Sequence, residues 1–125
     1  MQENLLKIVA ESKTLEEKLK QISNLIPSKI VFSTSFGIED QVISHAIFSQ
    51  NIKNIEVFTL DTGRLFPETY SVWDKTQLQY NTIIKAYYPN SESIEKYINE
   101  NGINAFYNSV ELRKDCCNIR KVEPL

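Results

Sequence analysis

Two stretches of this chain share one layout. Lys29-Ile30-Val31-Phe32-Ser33 is a β-rich run that feeds the polar loop Ser33-Thr34-Ser35-Phe36-Gly37-Ile38-Glu39-Asp40, after which Val42, Ile43, Ala46 and Ile47 recur on one helical face. Ile55-Glu56-Val57-Phe58-Thr59-Leu60 repeats the form, followed by Asp61-Thr62-Gly63-Arg64 and a helix that Pro67 opens and that runs to about Tyr80. A third strand is expected over 82–88, stopped by Pro89. Strands alternating with helices are joined by right-handed crossovers and pair in parallel. The fold class is therefore α/β, a parallel sheet with flanking helices. Function belongs at the carboxyl ends of the strands, where the loops after Phe32 and Leu60 lie together if those strands are neighbours.

The flanking segments read as helices. Thr14-Leu15-Glu16-Glu17 has the form of a capping box, and Leu15, Leu19, Ile22 and Ile26 follow at helical spacing until Pro27. Leu5-Leu6-Lys7-Ile8-Val9 has a helical pattern too, so 1–27 forms an N-terminal helical segment. Beyond Pro89, Ser91 to Asn101 is a short helix closed by Gly102, and Asn108 to Val122 a longer one within a cysteine-bearing stretch at 104–125. With 125 residues and no linker or repeat, 1–125 reads as a single domain. The chain stops just past the cysteine helix at Glu123-Pro124-Leu125, which suggests a fragment whose C-terminal part is missing. The first residues lack the pattern of a signal peptide and no apolar run is long enough to span a bilayer, so the expected location is cytoplasmic, away from membranes. A net charge of -2 argues against nucleic acid as a partner.

Cys116 and Cys117 are the only cysteines and stand in a basic frame of Arg113, Lys114, Arg120 and Lys121. Neighbouring Cα atoms lie about 3.8 Å apart, closer than the usual disulfide separation, so a bridge between them would be strained and easily reduced. Metal ligation, redox chemistry or burial as small hydrophobes remain. Flanking cations would favour the thiolate form. The same four cations could hold an anion or simply form a solvated helix face.

In the first loop, backbone N–H groups and the hydroxyls of Ser33, Thr34 and Ser35 could converge on an anion at a helix N-terminus, with Gly37 permitting close approach. A strand-to-helix turn rich in Ser and Gly is also common without any ligand, and Glu39 and Asp40 complement the helix dipole as caps would. The loop matches neither the nucleotide P-loop nor the dinucleotide fingerprint. Asp61, Thr62, Gly63 and Arg64 supply a carboxylate, a hydroxyl, a flexible backbone point and a guanidinium. Arg64 would hold a sulfate or phosphate, or pair with Glu68 one turn on. The single histidine, His45, falls inside a helix, where packing or surface exposure is its ordinary role. Trp73, Phe106, Tyr107 and the Tyr87-Tyr88 pair read as packing residues.

Taken together these residues resemble the assimilatory sulfonucleotide reductases, the adenylyl-sulfate and phosphoadenylyl-sulfate reductases. The resemblance runs from about Lys29 to Leu125. It rests on Ser33-Thr34-Ser35-Phe36-Gly37-Ile38-Glu39-Asp40, on 60–70 from Leu60-Asp61-Thr62-Gly63-Arg64 to Tyr70, on Asn104-Ala105-Phe106-Tyr107-Asn108-Ser109-Val110-Glu111, and on 113–125 around Cys116 and Cys117. It implies an adenine-nucleotide α-hydrolase-like fold, with Ser33, Thr34, Ser35, Phe36, Gly37, Asp40, Asp61, Thr62, Gly63 and Arg64 at the substrate. Cys116 and Cys117 would ligate a [4Fe-4S] cluster, and Lys121 would bridge electrostatically between cluster and substrate. The implied activity is thioredoxin-dependent reduction of adenylyl sulfate to sulfite and AMP in assimilatory sulfate reduction toward cysteine, in an enzyme that could be a homo-oligomer. Two family features are absent: the later C-x-x-C pair that completes the cluster, and the nucleophilic cysteine of an E-C-G-[LI]-H tail. Both are expected beyond Leu125, so the chain alone should not turn over. Tandem cysteines favour the adenylyl-sulfate branch. The alternatives are a phosphoadenylyl-sulfate reductase and a non-catalytic iron-sulfur or nucleotide-binding module. ATP-cleaving pyrophosphatases of the same fold use S-G-G-x-D-S, and Thr34 and Ser35 in place of the glycines count against them.

Overall fold

The computed structural model describes residues 14–125; the helical pattern at Leu5 to Val9 lies outside the described residues. Three strands, β1 (Ile30–Ser33), β2 (Ile55–Leu60) and β3 (Lys85–Tyr87), pair in parallel in the order β1-β2-β3. The register runs from Ile30 opposite Ile55 to Ser33 opposite Phe58, and from Phe58 opposite Lys85 to Leu60 opposite Tyr87. Central β2 buries Ile55, Val57, Phe58 and Thr59 in sequence, the continuous pattern of a strand covered on both faces. Helices α1 (Leu15–Leu25), α2 (Ile38–Ser49), α3 (Pro67–Tyr80), α4 (Ser91–Asn101) and α5 (Val110–Cys117) complete the chain.

Local chemistry sets the boundaries. Thr14 caps α1 by accepting from the Glu17 N–H at 3.2 Å, and Asn54 ties the end of that helix down by donating to the carbonyls of Ser23 and Ile26. Pro67 occupies the first turn of α3, where its missing N–H costs nothing, and Asn81 ends the helix in the left-handed region. The main apolar cluster joins Phe36, Ile47, Ile55, Val57 and Ile84, with Leu19, Phe32 and Trp73 against it. A second cluster of Tyr97, Ala105 and Cys116 forms between α4 and α5, where the Tyr97 hydroxyl donates to the Leu112 carbonyl at 2.6 Å.

Two expected elements differ. The third strand is shorter than 82–88 because the end of α3 captures its first donors: Thr82 N–H bonds the Gln77 carbonyl and Ile84 N–H bonds Gln77 Oε1. The cysteine segment is not one helix from 108 to 122. A 3₁₀ turn at Ala105–Tyr107 comes first, Ser109 is extended and caps α5 by accepting from Leu112 N–H, and Asn118–Val122 is a π turn closed by Glu123 N–H on the Asn118 carbonyl. Three of the expected packing aromatics, Tyr87, Tyr88 and Tyr107, are exposed. No helix among the described residues is long and apolar enough to cross a membrane.

Candidate functional site

Backbone bonds continue the ladder past the strand ends. Thr34 N–H reaches the Phe58 carbonyl at 2.8 Å, and Asp61 N–H reaches the Tyr87 carbonyl at 2.9 Å. The loops after β1 and β2 therefore leave the sheet side by side at its carboxyl edge, the Thr59 hydroxyl tying them by donating to the Thr34 carbonyl at 2.8 Å. Between them lies a cavity of about 240 Å³ lined by Ser33, Thr34, Ser35 and Phe36 from the first loop and by Thr62 and Leu65 from the second. Lys121, from the π turn, enters the same cavity.

The first loop is held by its own polar groups. Ser35 donates both its N–H (2.8 Å) and its hydroxyl (2.6 Å) to one oxygen of Asp40, and Phe36 N–H donates to Thr34 Oγ1 at 3.1 Å. Phe36 sits at φ +64°, unusual for a bulky residue, with its ring stacked on Trp73 at 5.7 Å. The Ser35 and Phe36 N–H groups and the Ser35 hydroxyl, among the donors expected to converge on an anion, thus already have acceptors within the loop. Gly37 and Ile38, at the first turn of α2, keep N–H groups unused by any described residue. Asp40 thus braces the loop from the first turn of α2, where its charge also complements the helix dipole.

The second loop is braced in the same manner. Asp61 is buried and accepts from Gly63 N–H (2.9 Å) and from the Tyr70 hydroxyl (2.8 Å), while Arg64 N–H donates to Thr62 Oγ1. Burial, and then the hydrogen bond to Asp61, raises the Tyr70 phenol above its ordinary 10.0. Arg64 does not pair with Glu68. Its Nη1 donates to the Ile103 carbonyl at 3.0 Å, its Nη2 to Asn104 Oδ1 at 3.1 Å, and its guanidinium lies over the Phe106 ring, 4.6 Å from the centroid. It does not line the cavity.

The basic frame divides. Arg113, Lys114 and Lys121 are exposed, whereas Arg120 is 6% exposed, donates from Nη1 to the Thr62 carbonyl, and leaves its Nε without an acceptor. Cys116 is buried in the second apolar cluster and Cys117 is exposed; both are free thiols. Adjacent helical positions point about 100° apart, so one thiol faces the interior and the other solvent. Among the described residues no group of three His, Cys, Asp or Glu side chains could hold a metal ion. Burial, followed by the neighbouring Cys116, raises the Tyr97 phenol beside these thiols.

Sequence reasoning missed three residues here. Arg120 was hidden among four similar cations, although its i+4 spacing from buried Cys116 marks it as facing inward. Tyr70 carried no signal except its place in the motif that begins at Leu60. His45 carried no sequence signal of a partner, and its Nδ1 lies 2.6 Å from the Tyr80 hydroxyl, joining α2 to α3.

A phosphoadenosine phosphosulfate reductase domain family matches residues 29–125. Proteins named adenosine 5'-phosphosulfate reductase are 46% identical in Sinorhizobium fredii strain USDA 257, over 93% of this chain and 49% of the relative, and 49% identical in Rhizobium meliloti strain 1021, over 92% and 43%. The chain spans about half the length of the curated relatives it matches. The crystal structure of a phosphoadenylyl-sulfate reductase from Candida auris, a phosphate complex, superposes with a TM-score of 0.76 at 24% identity, covering 99% of this chain and 60% of that one, which bears out the α/β fold class. With a family match spanning most of its length and relatives agreeing throughout, this chain belongs to the phosphoadenosine phosphosulfate reductase domain family.

Proposed function

We propose that this chain binds adenylyl sulfate in the cleft between the Ser33 loop and Lys121, and contributes Cys116 and Cys117 to a [4Fe-4S] cluster, as part of the thioredoxin-dependent reduction of adenylyl sulfate to sulfite and AMP in the cytoplasm. The observation that carries this reading is the entry of Lys121 into the cavity formed by the loops after β1 and β2. Among the described residues Lys121 is the one cation lining a space otherwise walled by hydroxyls, backbone and apolar side chains. Its ammonium would offset the sulfate and phosphate charges. The N-terminus of α2, with the Gly37 and Ile38 N–H groups, adds the positive end of a helix dipole nearby. Relatives named for adenosine 5'-phosphosulfate favour the nucleotide without a 3′-phosphate.

The donor set suits a thiolate-ligated cluster in one further respect. A buried guanidinium with an orphaned N–H, one turn beyond a buried thiol, is costly unless negative charge lies beside it, and Arg120 has no carboxylate partner among the described residues. Cys116 and Cys117 would supply two of the four ligands such a cluster needs. When bound, the cluster would place a fixed charge assembly beside the cleft. The chain's own residues orient the nucleotide: the Asp40-braced loop shapes one wall, Thr62 and Leu65 of the loop braced by Asp61 and Tyr70 the other, and Lys121 anchors the anion between them.

Calorimetric titration with adenylyl sulfate tests the reading. Binding is expected for the native chain, with Lys121→Ala weakening it about tenfold, or about 1.4 kcal/mol, and Lys114→Ala leaving it unchanged. Trp73, the only tryptophan, stacks on Phe36 at the cavity wall and gives an independent fluorescence signal. Absence of binding, or equal losses from the two lysines, would overturn the site; tighter binding of the 3′-phosphorylated nucleotide would reassign the substrate.

A further inference from the structure

We propose that Arg64 is a positioning residue, a latch that docks the cysteine-bearing segment on the sheet and thereby sets Lys121 in the cleft, and that it does not itself contact the anion. The proposal rests on the substrate site argued above and specifies how that site is assembled.

Three contacts commit the Arg64 side chain to one segment: the Ile103 carbonyl, Asn104 Oδ1 and the face of Phe106. These acceptors lie 39 and 40 residues away in sequence, on the turn that leads into the 3₁₀ segment at Ala105–Tyr107. An acceptor on each terminal nitrogen and an aromatic face against the guanidinium use the fork and the flat surface that distinguish arginine from lysine. Ala105, between Asn104 and Phe106, is 1% exposed and packs with Tyr97 and Cys116 in the second apolar cluster. Docking that turn therefore docks the cluster, and with it α5 and the π turn that carries Lys121.

The sheet and the second cluster have separate apolar cores, so polar bonds between them count for more than their number suggests. Arg64 reaches from the β2 loop to the turn at 103–104, and Arg120 reaches back from the π turn to the Thr62 carbonyl two residues before Arg64. The two arginines make reciprocal bonds across one seam. Lys121 follows Arg120 directly, so its place in the cavity depends on both. A residue that gripped the anion would be expected to line the cavity, and Arg64 does not.

Adenylyl-sulfate binding by the full chain is measured by calorimetry in wild type, Arg64→Ala, Arg64→Lys, Asn104→Ala, Lys121→Ala and the Arg64→Ala/Lys121→Ala pair. A latch predicts that Arg64→Ala and Arg64→Lys weaken binding alike, by about fivefold to tenfold, because charge alone cannot restore the docking. Asn104→Ala, which leaves the Arg64 charge in place, should also weaken binding. In the Lys121→Ala background Arg64→Ala should add less than about twofold. Direct anion contact predicts the reverse: substantial rescue by lysine, no effect at Asn104, and multiplied losses in the pair. Amide hydrogen exchange supplies a ligand-free readout, in which Arg64→Ala should accelerate exchange across 105–122 while leaving β1 and β2 protected. Unchanged exchange at 105–122, or rescue by lysine, overturns the latch. Failure of the wild-type chain to bind, with exchange behaving as expected, would overturn the substrate assignment instead and leave the latch standing.

Discussion

Arg120 donates to the backbone carbonyl of Thr62 across 58 residues of sequence, and its Nη1 would stand 3.2 Å from a Cβ added to Gly63. The π turn and the β2 loop meet there so closely that an added carbon would push the guanidinium aside by a few tenths of an ångström. Gly63 also has φ +81°, a conformation that L side chains adopt at a cost. We expect Gly63→Ala to destabilise the chain by about 1–2 kcal/mol from backbone strain, plus a share from displacing Arg120. In an Arg120→Ala background that share should vanish, leaving a smaller penalty for Gly63→Ala. Urea denaturation of the four proteins checks this; strict additivity would mean the two residues do not press on each other.

Phe36 combines a buried ring with a left-handed backbone. Removing the ring should cost about 3–5 kcal/mol, as for other core Phe→Ala changes. Glycine should then be the better replacement by about 1 kcal/mol, because only glycine occupies that φ without strain. We expect Phe36→Gly to unfold at higher urea than Phe36→Ala, the inverse of the usual order, with both altering Trp73 fluorescence.

Tyr70 titrates above its ordinary 10.0 in the folded chain, through burial first and the bond to Asp61 second. The folded state then holds the phenolic proton at a pH where the unfolded state has released it. Its contribution to stability is complete below about pH 10 and declines as pH rises through the folded value. Tyr97 shifts in the same direction, so the decline has two sources. Tyr70→Phe should flatten part of it and lower stability at neutral pH by removing a donor from buried Asp61. Denaturation midpoints from pH 8 to 11 measure the slope, and an unchanged slope would count against the Tyr70–Asp61 bond.

With two cysteines in the chain, anaerobic reconstitution should load well under four irons per monomer, because a [4Fe-4S] centre needs four ligands, usually thiolates. Iron bound at that level should be lost on Cys116→Ser or Cys117→Ser. A full complement retained after both substitutions would assign the pair to packing alone.

Alternation of apolar runs with amphipathic stretches determined the α/β class and parallel pairing, since a helix between strands forces a crossover. The Thr14 cap, the start of α3 at Pro67 and the end of α4 before Gly102 were legible for the same reason: each depends on contacts within a few residues. So was the neighbourhood of the loops after β1 and β2, which follows from strand order. The length of β3 was not, because Gln77 competes for its donors from another element. Nor was the break-up of the 108–122 helix, where Ser109 offers a side-chain acceptor that starts α5 afresh. Within the site, the tandem cysteines stood out in the sequence and Lys121 only through the family resemblance, since composition could not rank four neighbouring cations. Only packing decided that Arg120 goes inside, that Lys121 lines the cleft and that Arg64 turns toward Asn104. Those choices rest on contacts between residues about 40 or more positions apart, fixed when the second apolar cluster closes on the β2 loop.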